Sequence, residues 1–222
     1  MDKSQLTVFD SEDVATRLDY PGCIEAVRKA MISLSSGQTR QLLRTMIHMG
    51  EGRTFAQMPG ALGDDAMFGA KMISVFVDPD NPGTRRHRGV IALFEPEHGM
   101  PVAIIDAEQV THIRTAAATA VATDVLARRD ARNLLLLGTG GQACAHLDAL
   151  PQVRDFDRIA IWGRTGEKAR ALAAQYADRL PVEAVTDLPA EAARADVICT
   201  LTGAREPILL GKWLRPGCHV NI

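Results

Sequence analysis

No stretch of this sequence approaches the roughly 18 consecutive apolar residues that a membrane-spanning helix needs. Its opening, MDKSQLTVFDSEDV, lacks the apolar centre of a secretory signal. Charge bias is missing too: 25 basic and 27 acidic residues leave a net charge of −2, so neither a nucleic-acid nor a membrane partner is expected. The arginine groups Arg85, Arg86, Arg88 and Arg128, Arg129, Arg132 are short and flanked by acids. They read as solvated loops and helix ends. Cysteine is sparse. Cys23, Cys144, Cys199 and Cys218 stand far apart without CxxC or Cys/His metal spacing, and three of them sit in apolar runs. That usage suits small core residues in a reduced, cytoplasmic setting. His48, His87, His98, His112, His146 and His219 form no metal-ligand pattern, and no G-x-S-x-G nucleophile elbow occurs. No metal is expected. Internal repeats and low-complexity tracts are absent as well.

The 222 residues, 46% hydrophobic and 23% charged, suffice for one large domain or two smaller ones. Asp10 or Ser11 is a candidate N-cap for a first helix with Glu12 and Asp13 in its first turn. Pro21 opens a second helix that runs to about Ser35 and ends at Gly37. From Gln41 to Asp106, short apolar runs (Leu42–Met46, Thr54–Met58, Phe68–Val77, Val90–Phe94, Val102–Ile105) alternate with Gly, Pro and Asp, the texture of a mostly antiparallel or mixed sheet. DAEQVTHIRTAAATAVATDVLARRD then reads as one long Ala-rich helix with Asp106 as N-cap. Beyond it the segments NLLLLG, RIAIWG, VEAV, DVICTLT and HVNI alternate with helices. That order predicts an α/β fold, a doubly wound parallel sheet of the Rossmann type, preceded by an N-terminal α+β domain. The boundary is placed between 113 and 114.

Directly after NLLLL comes Gly138-Thr139-Gly140-Gly141-Gln142-Ala143, a G-x-G-x-x-A fingerprint with a buried strand before it and a helix after it. Gly138 allows the tight turn, Gly140 lets backbone approach a pyrophosphate, and Ala143 permits close helix–strand packing. The competing reading is a tight structural turn. At the end of the second strand, where an NAD site carries an acid, stands Gly163, followed by Arg164, Thr165 and Lys168. A glycine leaves room for a 2′-phosphate that Arg164 can grip, which favours NADP(H) and leaves NAD(H) open. The candidate cofactor residues are Gly138, Thr139, Gly140, Gly141, Gln142, Gly163, Arg164, Thr165, Lys168 and Thr202.

Three cations interrupt core-like segments of the first region and the long helix: Arg44 in LLRTMIH, Lys71 in MFGAKMISVF, and Arg114 in THIRTAAATAVAT. Each alone reads as a snorkelling or salt-bridged surface charge. Together, without matching carboxylates, they suggest a pocket for an anionic substrate, and a carboxylate suits them. His112 and Arg114, two apart on a helix, face different directions.

QMPG (57–60), GAKMISVFVDPDNPG (69–83), ALFEPEHGMPVAIIDAEQVTHIRTAAATAVAT (92–123), LLGTGGQA (136–143), IWGRT (161–165) and EPILLGKWLRPGCHVNI (206–222) together resemble the ornithine cyclodeaminase / mu-crystallin family. The last two blocks are most similar to its mu-crystallin and ketimine-reductase branch. The resemblance implies a two-domain subunit that dimerises through its first domain and acts on amino or imino acids by hydride transfer. Arg44, Lys71 and Arg114 match the family's substrate-carboxylate ligands, with Lys71 and Arg114 the catalytic candidates. The expected activity is reduction of Δ1-pyrroline-2-carboxylate or Δ1-piperideine-2-carboxylate to L-proline or L-pipecolate. The alternatives are ornithine cyclodeaminase, alanine dehydrogenase and a non-catalytic protein that binds NADPH and small molecules. The family's acid/base Asp falls just past the HVNI strand, beyond Ile222, so the chain reads as incomplete at its C-terminus.

Overall fold

A computed structural model of the chain describes residues 6–78 and 85–222. The end of the GAKMISVFVDPDNPG motif, 79–83, lies outside the described residues, as do residues 1–5 and the side chain of Arg85. The chain divides into two compact units, Met1–Thr111 and His112–Ile222, with the division inside the long helix rather than in a loop.

In the first unit, β1 (Thr7–Phe9) precedes α1 (Ser11–Arg17) and α2 (Tyr20–Ser35). Asp10 caps α1 and forms a reciprocal capping box with Asp13, and Asp19 caps α2 just ahead of Pro21. The strands β2 (Arg40–Gln41), β3 (Thr45–His48), β4 (Thr54–Ala61), β5 (Phe68–Val77), β6 (Arg85–Phe94) and β7 (Pro101–Asp106) complete a mixed sheet ordered β1-β7-β6-β5-β4-β2, with β3 also on β4. Among the described residues, only β1 and β7 pair in parallel; the other pairings are antiparallel.

Three expectations change here. The three-residue β1 is too short to show an alternating pattern, and the sequence did not announce it. The run Leu42–Met46 is not one strand: Gln41 pairs with Gly60 and Thr45 with Gln57, so residues 42–44 face 58–59. Three residues opposite two is the count of a β-bulge, and Pro59 at that point has no N–H for a ladder. Arg86 and Arg88 lie within β6, not in a loop, and Arg86 pairs at 2.8 Å with Asp78, which is buried.

The second unit takes most of α3 (Ala107–Leu126), whose start is capped by Asp106 accepting from Gln109 N at 2.7 Å. It continues β8 (Asn133–Leu137), α4 (Gly141–Ala149), β9 (Arg158–Trp162), α5 (Gly166–Tyr176), β10 (Val182–Val185), α6 (Leu188–Arg194), β11 (Val197–Thr200) and β12 (His219–Asn221). Every pairing is parallel, in the order β10-β9-β8-β11-β12. That is the doubly wound order with its reversal between β8 and β11. Leu134, Leu135, Leu136 and Leu137 are all buried, as a central parallel strand covered on both faces requires.

At the amino ends of these strands Asp196, 4% exposed, gathers donors from four residues. One carboxylate oxygen accepts from Arg132 N (3.0 Å), Asn133 N (2.9 Å) and Asn133 Nδ2 (3.1 Å). The other accepts from Arg128 Nη2 (2.5 Å) and from Arg215. Burial alone would raise this carboxyl; the hydrogen bonds from Arg132 and Asn133 and the charge of Arg215 overcome it and hold it below the usual range. Among the described residues no helix is long and apolar enough to cross a membrane.

Candidate functional site

In the second unit the ends of β8, β9 and β11 converge at the reversal of strand order. Gly138 has φ +143° and lies so close to β11 that an added Cβ would stand 2.5 Å from the Leu201 carbonyl oxygen. Only glycine meets both conditions. Its N–H donates to Trp162 O at 2.9 Å, tying the turn to β9. Gly140 is the N-cap of α4 and no side chain caps that helix. A Cβ on Gly140 would meet nothing within 4 Å, so backbone there is open to a ligand. The buried side-chain oxygen of Gln142, in the first turn of α4, has no hydrogen-bond partner. An uncapped helix start, an open glycine and an orphaned buried acceptor fit the phosphates and ribose of a dinucleotide.

Gly163, at the end of β9, packs against this turn: an added Cβ would lie 2.7 Å from Thr139 Cγ2. The missing side chain is therefore also a packing requirement, beyond the room for a phosphate that the sequence suggested. Arg164, Thr165 and Lys168 are exposed at the start of α5, which Thr165 N-caps without a side-chain bond. Thr202 follows Leu201, is exposed, and accepts from Ala204 N at 3.1 Å. All ten candidate cofactor residues thus belong to the loops and helix starts at one end of the sheet.

Helix α3 packs on α4 beside the turn. His146 is wholly buried; its Nδ1 lies 2.7 Å from Gln142 O and its Nε2 2.9 Å from Thr119 Oγ1. A carbonyl only accepts, so Nδ1 carries the proton and Nε2 accepts from the threonine hydroxyl. Burial pulls this imidazole's pKa down, opposed by the bond to Gln142 O. Closer to the turn, His112 is half-buried with its Cε1 3.3 Å from where a Gly141 Cβ would be. Sequence reading set both histidines aside for want of metal spacing. The i, i+4 step from Gln142 to His146 was the one local signal available; the partners on α3 are set by helix packing. Asn221 adds a third tie to α3, donating to Thr123 Oγ1 at 3.1 Å.

In the first unit, Lys71 lies in β5 opposite Met58 and Ile91. It shares a face with Ile73, which packs with Ala56 and Ala107 at the start of α3. Its ammonium donates to Thr111 Oγ1, whose hydroxyl donates to Ala107 O at 2.5 Å. Arg44 sits in the bulge at 42–44 and is exposed, next to Leu42 and Leu43, themselves 73% and 92% exposed. The core-like reading of that segment does not hold: its apolar residues face outward. Register leaves Arg44 two strand spacings from Lys71, about 10 Å. Arg114 is exposed, one turn beyond Thr111 on α3, in the second unit.

None of the four cysteines is in a disulfide, and Cys23 and Cys199 are buried. Burial pushes Cys199 up to about 12, which keeps it a core thiol and not a nucleophile. Glu95, Glu97 and His98 place one ligand atom each within 4.8 Å of one another. The Glu95 carboxylate, however, already accepts from the N–H groups of Glu97, His98 and Met100 in its turn.

The strand order, the glycine turn at the reversal and the uncapped α4 define an α/β unit of the doubly wound, dinucleotide-binding class. The chain belongs to the ornithine cyclodeaminase/mu-crystallin family, whose profile matches residues 5–222. It is 30% identical over 223 residues to Δ1-pyrroline-2-carboxylate reductase of Colwellia psychrerythraea, covering 97% of this chain and 69% of that protein. With ketimine reductase mu-crystallin of Mus musculus it shares 32% over 191 residues, covering 83% and 59%. The structure of Thermococcus litoralis Δ1-pyrroline-2-carboxylate reductase in complex with NADH and L-proline superimposes with a TM-score of 0.88 at 27% identity, covering 96% of this chain and 67% of that one. The chain spans about three fifths to two thirds of the length of these relatives.

Proposed function

We propose that this chain acts in an NADP(H)-dependent reduction of cyclic ketimine carboxylates, Δ1-pyrroline-2-carboxylate or Δ1-piperideine-2-carboxylate, to L-proline or L-pipecolate. The observation that carries the reading is the glycine turn at the strand reversal, with Gly138 against β11 and Gly140 open before an uncapped α4. Similarity to pyrroline-2-carboxylate and ketimine reductases supports the substrate class. Gly138, Thr139, Gly140, Gly141 and Gln142 would hold the diphosphate, and Thr202 the adjoining crevice. Arg164 and Lys168, with no acid at position 163, support a 2′-phosphate and hence NADP(H).

When bound, the cofactor supplies a hydride to C2 of the substrate. The chain's own residues bind and orient. Arg44 and Arg114 would clamp the carboxylate, fixing the face that C2 presents. Lys71, its ammonium held by Thr111, would favour bound carboxylate and supply a proton donor near the imine nitrogen. The outward-facing Leu42, Leu43, Met46 and Ile47 support a homodimer formed through the first unit. Four cysteines outside any disulfide suit a cytoplasmic setting.

The test mixes the protein with NADPH and Δ1-pyrroline-2-carboxylate and follows loss of reduced-nicotinamide absorbance. Turnover that Arg114→Ala abolishes without weakening NADPH binding supports the reading; unchanged activity in that variant removes Arg114 from the site. Cofactor binding with no turnover favours a binding protein. Ornithine-dependent ammonia release with catalytic NAD favours a cyclodeaminase.

A further inference from the structure

We propose that His112 is an additional cofactor ligand, donating an imidazole N–H to a phosphate oxygen of the dinucleotide. This rests on the cofactor reading above and names a residue outside the glycine fingerprint. The geometry comes from the packing of α3 on α4. The two helices are pinned where His146 Nε2 meets Thr119 Oγ1 at 2.9 Å. Seven residues earlier on α3, about 10 Å along its axis, the His112 ring lies against Gly141: Cε1 is 3.3 Å and Nε2 3.4 Å from the position of an added Cβ. Gly141 is the first residue of α4, and its neighbour Gly140 is open on the side a Cβ would occupy.

The imidazole is thus held beside the helix start whose backbone the phosphates would approach. Ile113, Ala116 and Ala120 are buried along the same helix, which fixes the rotation of α3 about its axis. Neither ring nitrogen of His112 has a hydrogen-bond partner among the described residues, whereas His146 on the facing helix uses both of its nitrogens. A half-buried donor beside an uncapped helix start adds a directed hydrogen bond to the helix's own amides. A Cβ at position 141 would press on the ring, which would have to give by a few tenths of an ångström.

The experiment titrates NADPH fluorescence, with ADP-ribose and 2′-AMP as competitors, against the wild-type chain and the variants His112→Leu and His112→Ala. Leucine keeps apolar bulk and removes the donor. Circular dichroism melts confirm that each variant is folded. Both substitutions are expected to weaken NADPH and ADP-ribose about tenfold, the loss of one hydrogen bond to a charged group, and to leave 2′-AMP, which has no diphosphate, unchanged. Wild-type affinity in His112→Leu, or an equal loss for 2′-AMP, overturns the assignment while the cofactor reading stands. A wild-type chain that binds neither NADPH nor ADP-ribose overturns the cofactor reading itself, and this assignment with it.

Discussion

Replacing Asp196 by asparagine keeps the shape of the side chain and removes its charge. The structure leaves no tolerable orientation for the new amide. One oxygen position faces Arg132 N, Asn133 N and Asn133 Nδ2; the other faces Arg128 and Arg215. An NH2 group turned either way meets donors only. Breaking a buried ion pair by removing one partner costs about 3–5 kcal/mol. Arg128 and Arg215 keep 42% and 39% side-chain exposure, so water recovers part of their solvation and the lower end, about 3 kcal/mol, is expected. With a urea slope of about 2 kcal/mol/M, the midpoint falls by about 1.5 M. Both tryptophans of the chain, Trp162 and Trp213, lie in the second unit, so intrinsic fluorescence reports the unit that Asp196 braces.

The pH dependence supplies an internal check. The folded carboxyl is depressed below its unfolded value of about 3.9. Below that value the unfolded chain takes up the proton first, so stability falls as the pH falls. The gap between wild type and Asp196→Asn should therefore be constant above about pH 5 and shrink below about pH 4. A midpoint shift under about 0.3 M with an unchanged slope, or a gap that does not shrink in acid, would refute the bracing role.

His146 is depressed by burial, so the unfolded state binds its proton first below about pH 6.5. Wild type should lose melting temperature between pH 7 and 5, and His146→Gln should show a smaller slope over that range in the same scans. Gly138→Ala forces a Cβ against Leu201 O at φ +143°; a loss of at least about 2 kcal/mol in urea unfolding is expected, together with loss of NADPH binding by fluorescence titration. Arg164→Ala should raise the Kd for NADPH about tenfold and leave that for NADH unchanged; equal effects on both would remove Arg164 from 2′-phosphate recognition.

The second unit was legible because its signals are local. NLLLL is a run buried on both faces, the glycines mark a turn that no other residue makes, and Pro, Asp and Gly punctuate each helix. Helix placement, the parallel sheet and the fingerprint followed from that; in the first unit the cap at Asp106 and the opening of α2 around Pro21 were equally local. The first unit was less so. β1 is three residues long and is held by its parallel partner β7. The break at 42–44 depends on Pro59 in a different strand, which apolar texture around Arg44 does not reveal.

Sequence alone determined the alternating strands and helices of the second unit, the glycine turn and the types of charge available to a substrate. Tertiary structure decided which side chains are neighbours. It set His112 against Gly141, paired His146 Nε2 with Thr119, and gathered Arg128, Arg132, Asn133 and Arg215 on Asp196. The physical reason is the range of the forces. Turn sterics and helix caps act within a few residues, whereas a buried polar group takes whichever partner packing brings within 3 Å, and that partner is dozens of residues away in the chain.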